Sequence, residues 1–232
     1  MANRTISSLL DMTGKVVIVT GGGTHLGTAF TEAMSELGAH VYIASRRKEL
    51  CEETAAALRG RGLKVTALSC DVTDEKSVDS LVDQVMEKES RLDVFVANAG
   101  GSNTTAHPPH GTIDEFRWTL EKNLTSTYIS AQAAGRVMIP LKEGSIITVG
   151  SIASRLASDP RIYNENFKRS GAPYIAAKAG VLNLTKALAA EFSPHGVRVN
   201  CICPGQIPND KTDKDQVEVF RKMNAFHRTG LA

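Results

Sequence analysis

Lys15-Val-Val-Ile-Val-Thr20 and the run behind it, Gly21-Gly22-Gly23-Thr24-His25-Leu26-Gly27, decide the fold. The first six residues are short, apolar and β-branched, the pattern of a strand buried on both faces of a parallel sheet. After the glycines, Leu26 to Leu37 reads as a helix closed by Gly38. Strand, glycine turn and helix in this order suit a dinucleotide. Glycine lets the backbone approach a pyrophosphate, and a helix N-terminus supplies N–H groups and a positive dipole. A Walker-type phosphate loop is excluded because no lysine follows Gly27. Taken alone, the cluster has a plain tight turn as its lesser alternative.

Outward from this unit, strand and helix patterns alternate. Strands are expected near 15–20, 40–45, 64–70, 92–97, 144–150 and 197–203. Helices are expected near 26–37, 47–60, 74–89, 113–140, 174–192 and 213–225. The pattern predicts an α/β fold: a Rossmann-like, doubly wound parallel β-sheet flanked by helices on both faces. Thr73 and Asp74 read as the cap of the third helix. Pro208 to Asp215 reads as a polar loop. No repeat, low-complexity stretch or linker divides the chain. Residues 1–232 are therefore expected to form a single dinucleotide-binding catalytic domain, and this length suffices for one sizeable core.

A net charge of +2 gives no argument for nucleic acid or an anionic membrane. No apolar stretch is long enough to span a bilayer, and the N-terminus lacks the apolar core of a signal peptide. The expected compartment is the reduced cytoplasm. Of the four cysteines, Cys201 and Cys203 lie two apart on a predicted strand and share a face. That is too little for a metal site. They read as core thiols, or one of them as a neighbour of the cofactor.

Tyr174-Ile-Ala-Ala-Lys178 and the upstream Ser151 carry the chemistry. Tyrosine and lysine four apart in a helix share a face. There an ammonium favours the phenolate and is expected to lower the phenol pKa. Such a phenol exchanges protons near neutral pH, and a serine hydroxyl can hold a carbonyl oxygen against it. The bland alternative is a half-buried tyrosine with a solvated lysine.

Together these residues resemble the short-chain dehydrogenase/reductase family. The matching motifs are Thr20-Gly21 with Gly27, Asp71-Val72, Asn98-Ala99-Gly100, Asn123, Ser151, Tyr174 with Lys178, and Pro204-Gly205, in the family's order from about Gly14 to Gly205. The resemblance implies hydride transfer between a nicotinamide and a carbonyl carbon. Tyr174 would exchange the proton with the oxygen. Lys178 would tune Tyr174 and bond the nicotinamide ribose, Ser151 would polarise the carbonyl, and Asn123 would support a water linking Lys178 to solvent. It assigns Gly21, Gly23, Thr24, Leu26 and Gly27 to the pyrophosphate turn and Asp71 with Val72 to the adenine. Asn98, Ala99 and Gly100 go to the adenosine ribose, and Pro204 with Gly205 to the far end. It also implies a homodimer or homotetramer built through helices 113–140 and 174–192.

The second strand bears on cofactor choice. It ends Ser45-Arg46-Arg47 where an NAD-binding chain usually has an acid for the ribose 2′-hydroxyl. Arginine can instead bind a 2′-phosphate with charge-assisted hydrogen bonds. NADP(H) is therefore expected through Ser45 and Arg46, with NAD(H) possible. Arg47 alternatively starts a helix and is simply solvated.

The chain departs from the family at several places. His25 replaces a glycine, where a side chain crowds the pyrophosphate or touches a phosphate; histidine tolerates positive φ better than most. The stretch between Ser151 and Tyr174 is long and carries Arg155, Arg161, Lys168 and Arg169, which would grip an acidic or polyhydroxylated substrate or else form a solvated loop or subunit contact. Asn209 stands where a threonine often touches the carboxamide. The family's last strand is not present before Ala232, so the sequence shown is expected to be incomplete or its edge finished differently. Two classes remain. The first is an NADP(H)-dependent enzyme interconverting a carbonyl and a secondary alcohol, on a sugar- or polyol-like substrate or as a 3-oxoacyl-type reductase. The second is a non-catalytic NADP(H)-binding redox sensor.

Overall fold

A computed structural model describes all residues except 1–4, 103–106, 160–162 and 164–168. In chain order it contains α1 (Ile6–Leu10), β1 (Val16–Thr20), α2 (Leu26–Glu36), β2 (His40–Ser45), α3 (Lys48–Arg59), β3 (Val65–Ser69), α4 (Glu75–Glu89), β4 (Val94–Ala97), α5 (Ile113–Leu120), α6 (Ser126–Leu141), β5 (Gly144–Val149), α7 (Ala172–Phe192), β6 (Val197–Ile202) and α8 (Lys214–Met223). The strands form one sheet in the order β3-β2-β1-β4-β5-β6, every pair parallel. This is the doubly wound order, in which the chain reverses direction of travel between β1 and β4 and opens a crevice at the strand ends there.

Why β1 reads as an unbroken apolar run is visible in its surroundings. Val17 and Val19 face a cluster with Val41, Ile43 and Val96, covered by Cys51, Ala55 and Leu58 of α3 and by Phe30 and Met34 of α2. Val16 and Ile18 face the opposite cluster with Phe95 and Ile146, covered by α4, α6 and α7 through Leu81, Val85, Met138 and Leu188. Both faces are dry, so alternation disappears. Strand β6 does alternate: Val197 and Val199 are buried, whereas Arg198, Asn200 and Ile202 are exposed. It forms the sheet edge.

Three differences from the sequence pattern stand out. Helix α1 was not anticipated; Thr5 caps it by accepting from the Ser8 N–H. The expected helix 113–140 is two helices joined by a π-helical segment at Glu121–Thr125. Helix α7 starts at Ala172, two residues early, with Pro173 in its first turn, where a missing N–H does no harm. The cap at Asp74 is present, its carboxylate accepting from the Lys76 N–H. Among the described residues no helix is long and apolar enough to cross a membrane.

One carboxylate ties the opposite edge of the sheet, at the strand starts. Asp93 is nearly buried, and accepts from the Val16 N–H at 2.9 Å, from Lys15 Nζ at 2.9 Å and from both ends of the Arg91 fork at 2.8 and 2.6 Å. Its backbone bonds to Val16 and Ser145, so β1, β4 and β5 meet on it. Burial pushes its pKa up, but the bonds from Arg91, Val16 and Lys15 outweigh burial and hold it below the usual carboxylate range. A depressed carboxylate stabilises the folded state above its unfolded pKa and loses that contribution as pH falls through the folded value. Asp93→Ala should therefore lower unfolding free energy by about 2–3 kcal/mol at neutral pH, by stranding the Val16 N–H and two cations. In urea titrations the gap to the native chain should narrow below about pH 4.

Candidate active site

Eight segments meet on one crevice at the carboxyl edge of the sheet, and they enclose a cavity of about 570 Å³, within the ~300–1,000 Å³ usual for ligand and cofactor sites. Every residue expected to hold the cofactor lines it: Gly21, Gly23, Thr24, Leu26 and Gly27 after β1, Ser45 and Arg46 after β2, and Asp71 and Val72 after β3. Asn98, Ala99 and Gly100 after β4, Lys178 on α7, and Pro204 and Gly205 after β6 complete the set. Ser151 and Tyr174 line it too; Asn123 lies directly behind it, fully buried.

The glycine turn is built by contact. Gly21 has φ +67°, a value side chains rarely adopt, and a Cβ on Gly27 would stand 2.0 Å from the Gly21 carbonyl oxygen. The start of α2 therefore sits directly on the end of β1, and the turn passes beneath the cavity as bare backbone. His25, by contrast, is held at φ 46°, ψ −120°. Its Nε2 donates to the Ile207 carbonyl at 2.9 Å. The imidazole thus ties the turn to the loop after β6.

Thr20 and Asn98 lock the turn to β4. Asn98 Nδ2 donates to the Thr20 carbonyl at 2.9 Å, and the N–H groups of Asn98 and Ala99 donate to Thr20 Oγ1 at 3.1 and 3.2 Å. Asn123 takes over from there. Its Oδ1 accepts from the Gly101 N–H at 2.8 Å, and its Nδ2 donates to the carbonyls of Gly101 at 3.1 Å and Thr119 at 2.9 Å. Both amide hydrogens are thereby used on backbone, so in this structure the side chain is a clamp on residues 100–101. The Asn123 oxygen and Lys178 Nζ close on Gly100, lying 2.7 and 3.5 Å from where its Cβ would be.

On the catalytic side, Ser151 ends β5 and caps a short 3-10 turn. Its Oγ accepts from the Ala153 N–H at 3.1 Å, while its own N–H donates to Ser154 Oγ at 3.1 Å. Tyr174 and Ser151 face the same cavity, close enough for the Ser151 side chain to favour the phenolate. One turn on, Lys178 Nζ donates to the Val149 carbonyl at 2.7 Å and stands 5.7 Å from the Tyr174 ring centroid. Burial raises the Tyr174 pKa and the Ser151 bond opposes it, leaving it above the usual phenol value. Burial pulls Lys178 down to about 8, against the pull of the Cys201 and Cys203 thiols. The expected lowering of the phenol by a neighbouring ammonium is therefore not what this geometry produces: burial outweighs it at Tyr174, and Lys178 is engaged with the Val149 carbonyl.

Other residues named from the sequence have local partners of their own. Ser45 Oγ donates to the Arg47 carbonyl at 2.9 Å and receives the Cys51 thiol at 3.3 Å, so its hydroxyl is engaged within its own turn. Arg46 is exposed at the cavity rim. Asp71 Oδ1 accepts from the Thr73 N–H and hydroxyl at 3.0 and 2.7 Å. Cys201 and Cys203 are not core thiols: the first is half-buried and the second exposed, their sulfurs 3.7 Å apart, against Gly150 beside Ser151. Asn209 is exposed and caps its own loop through the Lys211 N–H. Of the insertion, Arg161 and Lys168 lie outside the described residues, while Tyr163 stacks edge-on against Phe220 of α8. Trp118 and Lys122 also line the cavity. Sequence reasoning passed over them, although their spacing of four and the position of Lys122 next to Asn123 were available signals.

The residues present fit a dinucleotide: a bare-backbone turn under a helix N-terminus, cations at the β2 end, and a cavity of suitable size. Comparison with known proteins agrees. Residues 15–218 match the family model described as short chain dehydrogenase. The chain is 35% identical to (+)-borneol dehydrogenase 1 of Salvia officinalis over 195 residues, covering 82% of this chain and 69% of that one. It is 33% identical to galactitol 2-dehydrogenase of Rhizobium johnstonii, covering 84% and 72%. A crystal structure of a short-chain type dehydrogenase/reductase from Mycobacterium marinum superposes with a TM-score of 0.88 at 30% identity, covering 98% of this chain and 87% of the other. The chain belongs to the short-chain dehydrogenase family.

The His25 backbone lies in a region that costs a side chain about 1–3 kcal/mol. His25→Ala keeps that strain and loses the bond to Ile207, whereas His25→Gly loses the bond but relieves the strain. In urea unfolding the glycine variant should exceed the alanine variant by about 1 kcal/mol. Equal stabilities would show that the turn carries no strain.

Proposed function

We propose that the chain is an NADP(H)-dependent oxidoreductase that interconverts a carbonyl and a secondary alcohol, with Tyr174, Lys178 and Ser151 as catalytic residues and Asn123 positioning them. The observation that carries this reading is that Tyr174, Lys178 and Ser151 line the same cavity as the glycine turn. A nicotinamide cofactor, when bound, supplies or takes up the hydride.

The chain's own groups handle the proton and the oxygen. Tyr174, protonated through the neutral range, donates to the oxygen as alkoxide character develops. Ser151 Oγ, aimed by its bond from the Ala153 N–H, holds that oxygen against the phenol. Lys178, charged below about pH 8, adds positive charge beneath it. Asn123 fixes Gly100 and Gly101 against Lys178 and so sets the floor on which the ammonium rests. Arg46, exposed at the rim of the adenosine end, supports a 2′-phosphate; Ser45 contributes little, its hydroxyl being occupied.

The preferred substrate is polar, sugar- or polyol-like. Arg155 and Arg169 in the insertion support this, as does the likeness to a galactitol dehydrogenase. The likeness to a borneol dehydrogenase keeps a less polar alcohol in view. Assembly as a homodimer or homotetramer is supported by Tyr128 and Leu141, apolar side chains exposed on α6. The proposed compartment is the cytoplasm.

Tyr174→Phe should lower kcat by ~10²–10⁴ and leave NADPH affinity unchanged. If turnover survives, Tyr174 is not the acid; a native chain that binds NADPH and turns over no carbonyl or alcohol moves the sensor reading ahead. The pH dependence follows from the directions of the two shifts. Reduction needs a protonated phenol and a charged Lys178; the first persists above the usual phenol value and the second is lost above about 8. Reductive kcat/KM should be level below about pH 8 and fall above it, while alcohol oxidation rises with pH. A reductive rate that climbs through pH 9 would overturn this assignment.

A further inference from the structure

The adenosine end of the cavity holds a cation that the proposed function does not use. Lys122 lies in the π segment, immediately before Asn123. It is half-buried and lines the cavity together with Arg46, which reaches it from the end of β2 on the other side. Its Nζ comes within 3.9 Å of where a Cβ on Gly101 would stand, so the ammonium lies over the 98–101 segment and not in bulk water. Among the described residues neither Lys122 nor Arg46 has an ion-pair partner. The nearby acid, Asp71, directs an oxygen at Thr73.

Two cations lining one half-buried opening repel; the Asp71 carboxylate near Arg46 offsets part of this, and an anion bound between them relieves the rest. Burial, and after it the charge of Arg46, pull the Lys122 pKa down. The site is also built by the fold. Asn123, used on both sides by backbone, pins the π segment, and that fixes the root of the neighbouring side chain. Trp118, one turn before Lys122, provides an apolar wall at the same end.

We propose that Lys122 and Arg46 form a two-cation clamp for the phosphate carried on the ribose 2′ position of the dinucleotide, with Lys122 as a specificity-determining residue for the phosphorylated cofactor. This rests on the NADP(H) reading of the site and extends it to a residue outside the glycine turn and the β2 end.

Trp118 is the single tryptophan of the chain, so its fluorescence reports on this cavity, with calorimetry as the parallel readout. The native chain, Lys122→Met, Lys122→Arg and Arg46→Met are titrated with 2′,5′-ADP, which carries the 2′-phosphate, and with 5′-ADP, which does not. Loss of one charge-assisted contact is expected to weaken 2′,5′-ADP about tenfold or more in Lys122→Met and in Arg46→Met. Binding of 5′-ADP should stay within about twofold, and Lys122→Arg should keep most of the affinity. If the native chain does not distinguish the two ligands, the NADP(H) reading falls and the clamp with it. If the native chain prefers 2′,5′-ADP and only Arg46→Met loses the preference, the cofactor reading stands and the role of Lys122 is overturned. Equal weakening of both ligands in Lys122→Met overturns it as well, since a wall or pyrophosphate contact would act on both.

Discussion

The hydrogen bonds that suspend residues 98–101 between the β1 turn and the π segment are the constraint on which the site depends. Thr20 and Asn98 fix one end of this stretch, and Asn123 fixes the other. Because the partners are backbone groups, the stretch is held whatever side chains it carries. The glycine turn, the floor under Lys178 and the root of Lys122 all take their positions from it. Gly100 lies close enough to Asn123 and Lys178 that a side chain there would displace one of them. The crevice of a doubly wound sheet is thereby turned from a generic feature into a cavity of defined shape.

The same region spends stability. Lys178 is held where burial disfavours its charge, His25 occupies a conformation most side chains avoid, and Lys122 is half-buried within reach of the Arg46 charge. Elsewhere the polar groups are satisfied: among the described residues no buried side-chain nitrogen or oxygen lacks a partner, and the buried charge at Asp93 is surrounded by donors. Unfavourable electrostatics confined to one crevice, in a molecule otherwise well paired, mark the place where ligand and reaction provide what folding does not.

Much of this was legible from residue order. The six strands fall within two residues of the positions that their Val- and Ile-rich runs indicate, because each is buried where the pattern is strongest. The residues that line the cavity were legible because strand ends and glycines mark them. The π segment was not legible, since a helical period averages over one extra residue per turn. Helix α1 was missed because Ile6, Leu9 and Leu10 stay exposed and give no amphipathic signal against a core. Ser45 was assigned to the cofactor because spacing cannot show that its hydroxyl already bonds Arg47. The relation of Tyr174 to Lys178 came out differently for the same reason: sequence spacing sets their proximity, but burial and the Val149 carbonyl set their charge.

The π turn at Glu121–Thr125 acts as a gear between two helices. One additional residue in a turn rotates everything beyond it by ~100° about the axis relative to an unbroken helix. Before the turn, Trp118 faces the cavity; after it, Ala131, Ala134 and Met138 face the sheet. A single rod thus presents one side to chemistry and another to packing. Deleting one residue here would keep the rod helical while turning its two halves out of phase, so length in this stretch is as much a determinant of the site as the identity of any side chain.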